Sequence, residues 1–95
     1  MYSFLAEFLG TFVFLTVILA SPNAISIGAA LAVAILAFGA ISGGHFNPAV
    51  SFMMLMNGKI KVDTFLMYVI AQVLGGVIAL FMYRAATGKK LAFFK

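Results

Sequence analysis

The sequence has no cysteine, no tryptophan, one histidine, two prolines and only two acidic residues. Without cysteine there is no disulfide scaffold, and one histidine with two acids cannot build a usual metal site. Only 8% of the residues are charged, against about 25% in ordinary soluble domains, which excludes a soluble globular domain and a disordered tail. Six Lys and Arg give a formal net charge of +4. They sit at the ends of apolar runs and form no stripe, so nucleic acid is excluded as a partner. There is no metal set and no phosphate loop, and Ser42 and Ser51 have no base beyond His45, which is too close in sequence to suggest a triad. An enzyme and a cofactor are therefore not expected. What is present is apolar: 65% hydrophobic residues in a chain of 95, with a mean hydropathy of +1.21. The composition places the chain in a lipid bilayer as a multi-pass integral membrane protein. At roughly 20 residues per crossing, at most about four crossings fit.

The first apolar run extends from Tyr2 to about Ala20 and reaches about 28 Å as a helix, enough to span. No basic residue precedes it and it is too long for a signal-peptide core, so it is read as a span. Ser21-Pro22-Asn23 is a turn signal. A second run, about 24–41, is dense in glycine and alanine, which let helix backbones approach closely in lipid. Pro48 and the pair Gly43-Gly44 interrupt the helical pattern. The apolar stretch after Pro48 ends near Asn57-Gly58 and is half a membrane long, roughly 15 Å. Asp63 is a suitable N-cap for the last run, about 64–86, and Gly88 a suitable terminator. Leu91 to Lys95 reads as an amphipathic tail at the membrane surface. The pattern is span, span, half-span, span. It predicts an all-α membrane protein with three transmembrane helices and one re-entrant half-helix, about 48–57, in a single unit over residues 1–95.

A half-span raises a question of backbone hydrogen bonding. Irregular backbone at membrane depth is tolerated only where protein buries it or it lines a water-filled cavity. Residues Gly43, Gly44, His45 and Phe46 would be such backbone. Asn47 is a strong N-cap and Pro48 suits the first helical position, so a half-helix would start there with its positive dipole end at mid-membrane. Broken helices of this kind build the midplane sites of transporters and channels. The competing reading places Asn47-Pro48 in an interfacial turn with residues 49–57 on the surface.

The run Ser42-Gly43-Gly44-His45-Phe46-Asn47-Pro48-Ala49-Val50-Ser51 resembles the first Asn-Pro-Ala loop of the major intrinsic proteins, the aquaporins and glycerol facilitators. Ala6-Glu7-Phe8-Leu9-Gly10-Thr11-Phe12 resembles the first-helix signature of that family, and Ala71-Gln72-Val73-Leu74-Gly75-Gly76 its third-helix signature. The likeness covers nearly the whole chain and is closest to the N-terminal repeat of the bacterial water channels. It implies a channel for water or small neutral solutes such as glycerol. Asn47 would donate to the passing solute, with Pro48 and Ala49 completing the motif. The carbonyls of Gly43, Gly44, His45 and Phe46 would form a ladder of water acceptors. Glu7 and Gln72 would brace the loop from behind. By alignment to the loop, Ile27, Ile35, Gly44 and Val50 fall at constriction positions. Proton exclusion would rest on opposed half-helix dipoles, since no filter arginine is supplied.

The family has two inverted repeats in one chain, and this sequence holds one. One repeat alone would expose polar backbone to lipid, so a partner is inferred. The simplest partner is a second, inverted copy, giving an antiparallel homodimer. Family pores usually cluster as tetramers, so a tetramer of dimeric pores in a plasma or inner membrane is expected. Two basic residues, Lys59 and Lys61, lie on the side of the N-terminus. Arg84, Lys89, Lys90 and Lys95 lie on the other side, a modest bias that suits dual topology. Two other readings stand beside this one. Small multidrug-resistance transporters are of similar length, insert in both directions and carry a glutamate in the first span, so Glu7 could serve a proton-coupled exporter. Alternatively the chain is a non-conducting half that needs a different partner chain.

Overall fold

The computed structural model describes residues 1–89. The tail expected over Leu91–Lys95, together with Lys90, lies outside them. Four helices follow in order: α1 (Tyr2–Ala20), α2 (Ala24–Ser42), α3 (Pro48–Met56) and α4 (Val62–Thr87). There is no strand among the described residues. α1, α2 and α4 are each long and apolar enough to cross a membrane, as expected for an all-helical membrane protein. The longest dimension, 43 Å, matches the roughly 40–45 Å of a bilayer with its headgroups.

Side chains are distributed inside out relative to a soluble bundle. The buried positions of α1 are Ala6, Glu7, Gly10 and Thr11, and those of α4 include Ala71, Gln72, Gly75 and Ala79. Large apolar groups such as Ile25, Leu36, Leu66 and Phe81 face outward. Lipid solvates these groups as well as a core would, so helix association rests on close backbone packing of small residues and on interhelical hydrogen bonds. α1 is the central element, packed against both α2 and α4, and α3 packs on α4.

At Gly75, α4 lies directly against the α1 backbone. A Cβ built there would stand 2.8 Å from the Phe8 carbonyl oxygen and 3.2 Å from Thr11 Cβ. Gly76 faces Leu15 one residue on, so α1 and α4 run in the same direction. α2 runs back between them in sequence and returns the chain to the level of the α1 start, where Ser3 Oγ donates to the Ile41 carbonyl (3.4 Å).

Local chemistry explains the helix ends. Asn23 caps α2 by accepting from the Ser26 N–H (2.9 Å). Gly43 ends α2 in the left-handed region at φ 92°, and Gly88 ends α4 at φ 71°. The last helix departs from expectation. Its N-cap is Lys61, without a side-chain hydrogen bond, and not Asp63. The helix starts two residues earlier than the pattern suggests, with Val62 as its first residue. Asp63 then lies in the first turn, where its carboxylate accepts from Thr64 N (2.8 Å) at the positive end of the helix.

The contact at Gly75 generates a test. Gly75→Val would press a branched side chain on the α1 backbone and should cost about 1–3 kcal/mol, the range for overpacking a tight interface. The expected readout is a lowered thermal unfolding midpoint in detergent. A midpoint equal to wild type would contradict the packing.

Candidate functional site

The connection from α2 to α3 is five residues, Gly43 to Asn47, and its backbone turns through the left-handed region at Gly43, Gly44 and Phe46. Glycine adopts this region freely. Phe46 does not, and its φ of 54° costs about 1–3 kcal/mol unless the surroundings hold it. Two contacts hold it. Its N–H donates to Glu7 Oε1 (2.8 Å), and its ring lies against Gly10, where any Cβ would overlap it.

A turn this tight leaves backbone N–H groups without helical partners, and side chains take them. Gly44 N donates to Ser42 Oγ (3.2 Å), His45 N to Glu7 Oε2 (3.0 Å) and Phe46 N to Glu7 Oε1. Glu7 also accepts from Ser42 Oγ (2.6 Å) and from Gln72 Nε2 (2.8 Å). Its carboxylate is fully buried, at 0% exposure, and each oxygen accepts two hydrogen bonds. Four donors, with no cation in contact among the described residues, are what allow a carboxylate to sit in an apolar bundle.

A second layer surrounds this centre. Gln72 Nε2 also donates to Ser51 Oγ (2.9 Å), and Ser51 Oγ shares a 2.8 Å hydrogen bond with His45 Nδ1. Tyr68 OH donates to the Ser42 carbonyl (2.6 Å), and its ring meets His45 edge to face at 4.9 Å. The Ser51–His45 pair is buried, and Glu7 engages the His45 backbone, not the ring. The pair therefore lacks both the exposure and the carboxylate orientation of a nucleophile–base site.

At the end of the loop Asn47 caps α3. Its Oδ1 accepts from Ala49 N (2.8 Å), and Pro48 takes the first helical turn. Its Nδ2 makes no hydrogen bond among the described residues, and the side chain is exposed. The tip of α3 stands beside the middle of its neighbours: Phe46, Asn47 and Pro48 border a groove with Thr11, midway along α1, and Gln72 of α4. Of the expected constriction residues, Ile35 and Gly44 meet, with Ile35 Cγ1 3.3 Å from a Cβ built on Gly44. Ile27 is half-buried about two turns earlier on α2, and Val50 is half-buried in the first turn of α3. Tyr68 and Thr11 were not singled out individually from the sequence. The available signal was spacing, since Glu7/Thr11 and Tyr68/Gln72 are i, i+4 polar pairs in apolar helices and so share one face.

A bundle of long apolar helices with this polar cluster is an integral membrane protein built around a held loop. Residues 1–93 match the family model described as "Major intrinsic protein", and the chain belongs to that family. It is 49% identical over 88 residues to glycerol uptake facilitator protein-like 6 of Lactiplantibacillus plantarum, covering 83% of this chain and 41% of that protein. It is 48% identical over 61 residues to aquaporin TIP2-1 of Arabidopsis thaliana and 46% identical over 61 to aquaporin TIP1-2 of Musa acuminata. Each match covers 64% of this chain and 24% of the relative. The chain spans less than half the length of these relatives.

The hydrogen bonds to Glu7 predict a stability effect. Glu7→Gln keeps the size but turns an NH2 group toward two of the four donors. Each orphaned buried donor costs about 1–3 kcal/mol, so a loss of about 2–6 kcal/mol is expected in denaturation of the detergent-solubilised protein. Unchanged stability would show that the carboxylate does not hold the loop.

Proposed function

We propose that the protein forms a passive transmembrane channel for water and small neutral solutes such as glycerol. The pore is completed by a second copy inserted in the opposite direction, so that two Asn47-Pro48-Ala49 half-helix tips face each other. Residues 1–95 act as one half-repeat, and α3 is its re-entrant half-helix. The observation that carries this reading is the divided role of Asn47. Its Oδ1 is engaged in capping α3, which fixes the side chain, while its Nδ2 makes no hydrogen bond among the described residues and the side chain is exposed beside the middle of α1 and α4. A fixed, unengaged donor at that height suits a solute that arrives stripped of part of its water.

Supporting groups follow from the same geometry. Glu7 and Gln72 brace the loop, so the carbonyls of Gly43 to Phe46 keep one arrangement as acceptors along the path. The constriction positions Ile27, Ile35, Gly44 and Val50 carry no charge, which favours neutral solutes and leaves ion exclusion to the half-helix dipoles. Dimeric pores then assemble into a tetramer, as the family resemblance implies. The four occupied acceptor positions of Glu7 weigh against a proton-coupled exporter, because a carrier needs a lone pair open to the path.

Two measurements test the proposal. Liposomes holding only this chain should shrink under an osmotic gradient faster than empty ones. Asn47→Ala should reduce the excess rate roughly five-fold, the equivalent of one lost hydrogen bond of about 1 kcal/mol. Permeability at the lipid background would contradict the channel. A C-terminal reporter should be found on both sides of the membrane, and one orientation alone would contradict the inverted pair.

A further inference from the structure

The ring of His45 has one edge inside the loop cluster and one edge at its surface. Nδ1 shares a 2.8 Å hydrogen bond with Ser51 Oγ, and the ring meets Tyr68 edge to face. Nε2 makes no hydrogen bond among the described residues, and it is not sealed inside the protein as Thr11 Oγ1 and Gln72 Oε1 are. It lies beside Gly43, where an added Cβ would stand 3.3 Å from it, and Gly43 is exposed. Whether that edge offers a proton or a lone pair depends on the tautomer of the ring.

Hydrogen-bond counting fixes the tautomer. Ser51 is fully buried, at 0% exposure, so its hydroxyl proton needs an acceptor inside the protein. Gln72 Nε2 donates to Ser51 Oγ (2.9 Å), and an amide nitrogen cannot accept in return. The Gln72 amide is not free to flip. Its Nε2 also donates to Glu7 Oε1 (2.8 Å), and a flipped amide would set oxygen against the carboxylate. Thr16 and Thr87 donate to the carbonyl four residues back, but the partners of Ser51 Oγ among the described residues are Gln72 and His45 alone. The acceptor for the Ser51 proton is therefore His45 Nδ1. A proton on Nδ1 would leave the hydroxyl proton without an acceptor in a sealed site. The ring proton is on Nε2. Glu7 orients Gln72, Gln72 orients Ser51, and Ser51 sets the ring.

We propose that His45 Nε2–H is a second solute-facing donor, held at the outer end of the loop as the Asn47 amide is held at its inner end. This rests on the channel reading above and adds a polar station to it. Gly43 follows directly on α2, whose end is level with the start of α1, while Asn47 borders Thr11, midway along α1. The loop carbonyls between these two positions can only accept. Donors at both ends of a run of acceptors give a solute oxygen a partner on entry and again at mid-membrane. The group recognised at His45 is thus the oxygen of water or of a small alcohol. With the proton on Nδ1, the ring would face the solute with one more acceptor, and the relay from Glu7 prevents that. Glycine at position 43 keeps the Nε2 edge open, since any side chain there would stand against it.

A single histidine makes the test clean. With its ring nitrogens isotope-labelled, the whole chain in lipid bilayers should show by solid-state NMR a protonated Nε2 and an unprotonated, hydrogen-bonded Nδ1. The Nε2 proton should give a cross-peak to water. A proton on Nδ1 overturns the assignment, and an Nε2 proton without a water cross-peak overturns the donor role. Ser51→Ala should release the lock, so that the Nδ1 signal moves to that of an unbonded nitrogen and both tautomers appear. A spectrum unchanged by Ser51→Ala overturns the relay. In liposomes under an osmotic gradient, His45→Leu should lower the excess permeability several-fold. His45→Gln, whose side-chain NH2 group can reach the Nε2 position, should recover part of it. Wild-type permeability in His45→Leu, or no recovery in His45→Gln, overturns the proposal and leaves the channel reading in place. Wild-type liposomes at the lipid background overturn the channel reading and with it the solute role of His45.

Discussion

One buried carboxylate holds the arrangement together. Glu7 is fully enclosed, and its two oxygens accept from Ser42, from the backbone of His45 and Phe46, and from Gln72. These four donors come from α2, from the loop and from α4. A charge in an apolar bundle is tolerated only when such donors surround it, and irregular backbone at that depth is tolerated only when its N–H groups find acceptors. Each requirement meets the other. The loop supplies what the carboxylate needs, and the carboxylate supplies what the loop needs. Remove it and Phe46 loses one of the two contacts that hold it in the left-handed region, and the loop that leads into Asn47 and α3 loses its brace.

The glycines make that meeting possible. Gly10 leaves room for the Phe46 ring, and Gly75 lets α4 approach the α1 backbone closely enough to bring Gln72 to Glu7. In lipid no hydrophobic force drives these helices together, so small residues and buried hydrogen bonds carry the association. Thr11 and Gln72 border a groove beside the α3 tip, and Thr11 Oγ1 and Gln72 Oε1 have no hydrogen-bond partner among the described residues.

The legible part of the sequence was whatever depends on local pattern. Apolar run lengths mark α1, α2 and α4, and Asn47-Pro48 marks the start of α3, because capping and the missing proline N–H act within a few residues. Glu7 and Gln72 stand out as polar residues in apolar helices. Their partners were harder to read. Tyr68 donates to a carbonyl 26 positions away, and a tyrosine in a span reads equally well as an interfacial anchor. Ser51 and His45 are too close in sequence to suggest a triad, and the turn at Asn47 brings them together as a buried hydrogen-bonded pair. The start of α4 was misplaced because Asp63 is a good cap by type, while Val62 extends the helix past it. Chain separation hides what three-dimensional packing decides.

The central claim is that Glu7 holds the loop through the amides of His45 and Phe46. Hydrogen exchange of those two amides in a lipid bilayer tests it directly. The account predicts strong protection in the wild-type chain and a sharp rise in exchange at both positions in Glu7→Ala, while the amides in the middle of α2 stay protected. Equal exchange of the two amides with and without the carboxylate would contradict it.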